Sequence, residues 1–182
     1  MKQWITIFIA VGLWISSSRA QAPQSADDIL DEAISIAGKE KKNVFIIFHA
    51  SWCGWCHKMD TAMNDPAVRK FFNDNYVIRH LTVYESKSKK SLENPGAEDL
   101  LKRYKGDDEG IPYWMIFDRE GQLLADSKIR KPGESLDDGA NTGCPAKENE
   151  VDHFVKVLKQ TSRLKESDLA TIKKRFRLND SH

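Results

Sequence analysis

The sequence predicts an α/β domain in which helices alternate with strands around a sheet whose central strand is covered on both faces. Three observations carry this expectation. Val44 to Phe48 is an unbroken apolar run of β-branched and aromatic residues, the pattern of a strand buried on both sides. Residues at helical apolar spacing flank it, with Ile29, Leu30, Ala33, Ile34 and Ala37 before it and Val68, Phe71 and Phe72 after it. A length of 182 residues, 40% hydrophobic and 30% charged, suits one compact domain with a sizeable core and leaves little room for a second.

Residues 1–20 read as a secretory signal peptide, with Lys2 as the charged start, an apolar stretch from Trp4 to Ile15, and Ser18-Arg19-Ala20 as a small-x-small cleavage site. The apolar stretch falls well short of the roughly 20 residues that a membrane-spanning helix needs. The expectation is cleavage after Ala20, a mature chain beginning at Gln21, a periplasmic or secreted location, and no stable membrane insertion after cleavage. Leaving out Lys2 and Arg19 turns the formal net charge of +1 into about −1, so no nucleic-acid footprint is present.

In the mature chain, Ser25 caps a first helix that carries Asp27 and Asp28 in its first turn and ends near Gly38. After the strand Val44–Phe48 the chain reads helical from Cys53 to about Asn64, and Asp65-Pro66 restarts a helix with Pro66 in its first turn. Tyr76 to Val83 reads as the next strand. Tyr84 to Pro95 is rich in Lys, Ser and Asn without an apolar period, a solvated loop whose Lys87, Lys89 and Lys90 form wet surface. A short helix from Gly96 to Lys105 precedes Gly110-Ile111-Pro112. Tyr113 to Asp118 and Leu123 to Lys128 then form a hairpin across the turn Arg119-Glu120-Gly121-Gln122. Arg130 to Cys144, with Pro132, Gly133, Gly139 and Gly143, reads as a long loop. Val151, Phe154, Val155 and Leu158 mark an amphipathic helix; Leu169, Ile172 and Phe176 mark a shorter one with Ser167 as N-cap. The domain expectation is a single unit over 21–182, with a core of about 26–160 and a helical extension over 161–178.

The chemistry concentrates where the buried strand runs into Cys53 and Cys56. In C-x-x-C the first thiol can attack a disulfide while the second waits one helical turn away to resolve the mixed disulfide. A thiol at a helix N-terminus faces unpaired N–H groups and the positive end of the helix dipole, which favour the thiolate and make Cys53 the nucleophile. Cys56, one turn further in, suits the resolving role. Trp52 and Trp55 offer apolar surface around the sulfurs. An exported chain can keep a disulfide. Pairing Cys53 with Cys56 leaves Cys144 over as a buried, free or intermolecularly bonded thiol. Three other readings compete. Cys53 to His57 spells C-x-x-C-H, the attachment motif of c-type haem, although strands on both sides argue against a mostly helical haem protein. Cys53, Cys56, His49 and His57 are conceivable zinc ligands without a second C-x-x-C or H-x-x-x-H pair to support them. A non-catalytic binding or chaperone module would keep the cysteines only as a structural pair, a weak staple for so short a loop.

Trp52-Cys53-Gly54-Trp55-Cys56 after a buried strand, Gly110-Ile111-Pro112 before the next, and Phe117-Asp118-Arg119-Glu120-Gly121 at a strand-turn-strand ending together resemble the thioredoxin superfamily over roughly residues 26–160. The resemblance implies the thioredoxin fold, an α/β architecture with a central mixed β-sheet flanked by helices, here with an extra C-terminal helix. It implies a thiol–disulfide oxidoreductase that reduces or exchanges protein disulfides with no cofactor and no metal, which the signal-peptide reading makes an exported one. Its partners would be disulfide- or dithiol-containing proteins and a redox partner that resets the cysteines. It also implies a cis Pro112 that leaves the backbone of Ile111 free to pair with a substrate strand, with Trp52, Gly54, Trp55, Ile111 and Pro112 as the substrate-binding surface. Two positions depart from the pattern. Ile47 stands six residues before Cys53, where many thioredoxins bury an acid, and His57 stands where lysine is frequent. His49 and His57 are thus the candidates for tuning thiol ionisation near neutral pH.

Overall fold

The computed structural model describes residues 22–181, and the signal-peptide reading of residues 1–20 lies outside them. Helix α1 (Ala26–Glu40) begins at Ser25, whose hydroxyl oxygen accepts the Asp28 N–H, and it buries Ala26, Leu30, Ala33 and Ala37 on one face. Strand β1 (Asn43–His49) follows, then α2 (Gly54–Met63), α3 (Arg69–Asn75), β2 (Tyr76–Thr82) and α4 (Ala97–Arg103). The chain continues through β3 (Tyr113–Phe117), β4 (Leu123–Asp126), β5 (Lys128–Ile129), β6 (Ala140–Asn141), α5 (Glu148–Thr161) and α6 (Glu166–Arg177). Among the described residues no helix is long and apolar enough to cross a membrane.

The main sheet is mixed, in the order β2-β1-β3-β4, with β1 parallel to β2 and antiparallel to β3. This places Val44–Phe48 in the interior of the sheet, as its unbroken apolar run predicts. Alternation along the strands separates two cores. Phe45, Ile47, Trp114 and Ile116 pack with Met59, Phe72, Phe154 and Phe176 beneath α2, α3, α5 and α6. Val44, Ile46, Phe48, Tyr113, Met115 and Phe117 pack with Leu30, Ala33, Leu100 and Leu101 beneath α1 and α4. In the antiparallel register Phe48 lies opposite Tyr113, so the residues that leave β1 and those that enter β3 meet at one end of the sheet.

Several boundaries differ from the expectation for physical reasons. Asp65-Pro66 lies in a turn, and α3 starts only at Arg69: the Asp65 carboxylate accepts the Ala67 N–H and pairs with Arg175, which holds the turn instead of opening a helix. The N-cap of α6 is Lys165, not Ser167, because Asp168 reaches back to its N–H. The strand expected over 123–128 breaks at Ser127, whose N–H donates to the Trp114 carbonyl, and it resumes as β5 paired with β6. The loop expected over 130–144 therefore contains a strand. The segment 84–95 is not uniformly solvated either: it holds a 3₁₀ turn over Lys87–Leu92 and buries Glu85.

Candidate active site

The turn that follows β1 puts Cys53 at the N-cap of α2, in extended backbone conformation, with its sulfur accepting the Cys56 N–H at 3.1 Å. A thiolate at this position would receive a hydrogen bond and the positive end of the helix dipole together. Cys53 and Cys56 are joined in a disulfide and are 4% and 1% exposed. They pack with Ala50 and Ile111. The β1–β3 register brings the second half of the site across from them. The Ile111–Pro112 bond is cis, and Cys53 Sγ lies 3.6 Å from the Ile111 carbonyl oxygen.

Trp52 and Trp55 flank the sulfurs and are 59% and 48% exposed. The Trp52 indole N–H donates to the Tyr84 carbonyl, and Lys58 Nζ sits 4.3 Å from the centre of the Trp55 ring. Gly54 opens α2, and a side chain there would meet nothing within 4 Å. Trp55, Ile111 and Pro112 line a cleft of about 410 Å³ whose far wall includes Asn141, Cys144 and Asn179. Each of the two candidate histidines has a defined contact. The His57 ring nitrogen Nε2 lies 3.0 Å from the Ser51 carbonyl. The His49 ring meets the Thr82 hydroxyl and lies 5.0 Å from the His80 ring, and burial followed by the neighbouring His80 lowers its pKa. Cys144 is unpaired and buried, and burial pushes its pKa up to about 12, far from a reactive thiolate at neutral pH.

Residues outside the motif hold this geometry, and the sequence reading missed them. The Glu85 carboxylate accepts the Ser51 N–H at 2.5 Å and the Ser51 hydroxyl at 2.9 Å, which fixes the turn leading into Trp52 and Cys53. The Ser51 N–H holds the Glu85 carboxyl below the usual carboxylate range, with the Ser51 hydroxyl and Lys89 adding to it. A folded-state pKa below the unfolded value gives stabilisation that is full above the unfolded value, about 4.3, and is lost as pH falls through the folded one. Glu85→Gln is thus expected to lower the thermal midpoint at pH 7, with the gap to the parent protein narrowing as the pH is lowered to 3. Melts of both proteins at the two pH values check this, and a gap independent of pH would remove the charge from the explanation.

A family model described as thioredoxin-like matches residues 25–119. The chain is similar to a solved disulphide isomerase from Xylella fastidiosa Temecula1, with 18% identity, 64% of this chain and 80% of that chain covered, and a TM-score of 0.45. It is also similar to a solved DsbH oxidoreductase, with 22% identity, coverage of 81% and 94%, and a TM-score of 0.44. A third likeness is to the C-terminal domain of DsbD from Neisseria meningitidis in its oxidised form, with 20% identity, coverage of 77% and 99%, and a TM-score of 0.44. No curated protein matches the chain.

Proposed function

Since the chain belongs to the thioredoxin-like family, we propose that it is an exported thiol–disulfide oxidoreductase that reduces or exchanges disulfides in protein substrates. The observation that carries the reading is Cys53 Sγ as the acceptor at the N-cap of α2, bonded to Cys56 and facing the Ile111-Pro112 turn. In the reduced protein the Cys53 thiolate attacks one sulfur of a substrate disulfide, forming a Cys53–substrate bond and expelling the other substrate sulfur as a thiolate. Cys56, deprotonated, then attacks Cys53 Sγ, forms the Cys53–Cys56 bond and releases the second substrate thiolate. Two electrons pass to the substrate, and a redox partner must return them. Trp52, Trp55 and the proline turn give a flexible substrate segment an apolar bed and a backbone edge. The export part of the proposal rests on Lys2, the Trp4–Ile15 stretch and Ser18-Arg19-Ala20; a mature protein still beginning at Met1 would remove it.

The test is the reduction potential of Cys53–Cys56 in glutathione buffers, in a Cys144→Ser background, read from the fluorescence of Trp52 and Trp55. A single two-electron transition is expected. A value near about −270 mV would mark a reductant that needs an electron supply, and one near about −120 mV a disulfide-forming oxidant. A protein without any transition would refute the redox reading.

A further inference from the structure

We propose that Asn141 is a positioning residue for the proline turn, setting the Ile111 backbone at the distance from Cys53 that a protein substrate requires. The inference rests on the oxidoreductase reading above and concerns a residue outside the matched stretch 25–119. The Asn141 side-chain amide has two N–H donors, and they face three carbonyls: Glu109 at 3.0 Å, Gly110 at 3.3 Å and Pro112 at 3.1 Å. Its oxygen accepts the Gly143 N–H at 2.9 Å. Both ends of the amide are used with the correct polarity, which fixes its orientation. The side chain therefore grips the residues on either side of Ile111 and leaves Ile111 itself ungripped. Among the described residues the Ile111 N–H has no backbone acceptor, while its carbonyl faces Cys53 Sγ.

The clamp is itself braced. β6, which carries Asn141, pairs with β5. The Thr142 N–H and hydroxyl both donate to the Ser127 carbonyl, and the Gly143 carbonyl accepts the Trp114 indole N–H. Lys128, only 2% exposed, donates from Nζ to the Glu109 carboxylate at 2.7 Å and to the Leu136 and Asp137 carbonyls at 3.3 and 3.1 Å. Burying an ammonium is costly unless it is paired, so the long loop and the approach to the proline turn depend on one another through this one charge. The 130–144 segment acts as a buttress for the substrate-facing backbone.

The experiment compares two substrates: insulin, whose disulfides sit in a polypeptide, and bis(2-hydroxyethyl) disulfide, which has no backbone to align. Asn141→Ala is expected to lower kcat/KM on insulin roughly tenfold or more. Asn141→Asp, of equal size but aiming acceptors at three carbonyls, is expected to fall further. For both variants the equilibrium constant of the Cys53–Cys56 pair with glutathione and the rate on the small disulfide should stay within about twofold of the parent protein. Equal losses on the two substrates, or full insulin activity in either variant, would overturn the positioning role. If Asn141→Asp does not fold by circular dichroism, Asn141→Ala decides alone. Absence of turnover by the parent protein on both substrates would instead refute the oxidoreductase reading, and the positioning role with it.

Discussion

Cys53→Ser is expected to abolish disulfide reduction, a loss of about three orders of magnitude or more, while Cys56→Ser is expected to stop the reaction one step later. The asymmetry follows from the helix. Only Cys53 is at the N-cap, with its sulfur accepting a backbone N–H and lying beside the Ile111 carbonyl; Cys56 is inside the first turn and 1% exposed. Serine in place of Cys53 removes the nucleophile, so no bond to substrate forms. Serine in place of Cys56 leaves the first attack intact and removes the resolving thiol, so a Cys53–substrate mixed disulfide accumulates. Non-reducing electrophoresis after incubation with insulin separates the outcomes, since the adduct forms with Cys56→Ser and not with Cys53→Ser. Cys144 must be serine in both proteins so that it cannot resolve the adduct. An adduct in the Cys53→Ser protein would reverse the assignment of roles.

Phe154→Ala is expected to cost about 3–5 kcal/mol of unfolding free energy, the largest effect on stability anticipated for a single residue outside the site. Phe154 is fully buried and touches four rings from four elements of the fold. It meets Phe45 of β1, Trp114 of β3, Phe72 of α3 and Phe176 of α6, the last at 4.8 Å between ring centres. Removing it leaves a cavity that several elements border, and the surrounding rigid rings limit collapse into it. Phe176 is as fully buried but meets two rings, Phe72 and Phe154, so Phe176→Ala should cost less. Urea unfolding of the reduced proteins checks both, and a loss under about 1 kcal/mol for Phe154→Ala would show that α5 and α6 are not integral to the core.

The legible parts of this fold were those written in local pattern. Val44 to Phe48 announces a doubly covered strand because both faces of β1 need apolar side chains. Cys53 and Cys56 are legible because their chemistry depends on a separation of three residues. The α-helical periods at Leu30, Phe154 and Phe176 are likewise read over a few turns. What escaped were polar contacts between distant residues. Glu85 stands in a segment of lysines, serines and asparagines, and nothing nearby signals that its carboxylate lies 34 residues away in sequence from its partner, Ser51. Asn141 looks like an ordinary loop residue among glycines, yet its amide closes on carbonyls about 30 residues earlier. Lys128 reads only as the last residue of a strand, with nothing to signal that it is one of the most enclosed side chains. A buried charge of this kind has no periodicity, because its partners are supplied by tertiary structure alone.

The meeting of the two halves of the site at adjoining strands has a consequence for how such a protein can diversify. The sulfur-bearing turn leaves β1 and the proline turn enters β3, so their spacing is inherited from the most deeply interior pairing of the sheet. The far wall of the cleft comes from elsewhere, from the 141–147 segment and Asn179 at the other end of the chain. Reactivity and selectivity are therefore built on separate stretches of sequence. On the proposed oxidoreductase reading, mutation can redraw the wall, and with it the choice of substrate, while Cys53 and Cys56 keep their register.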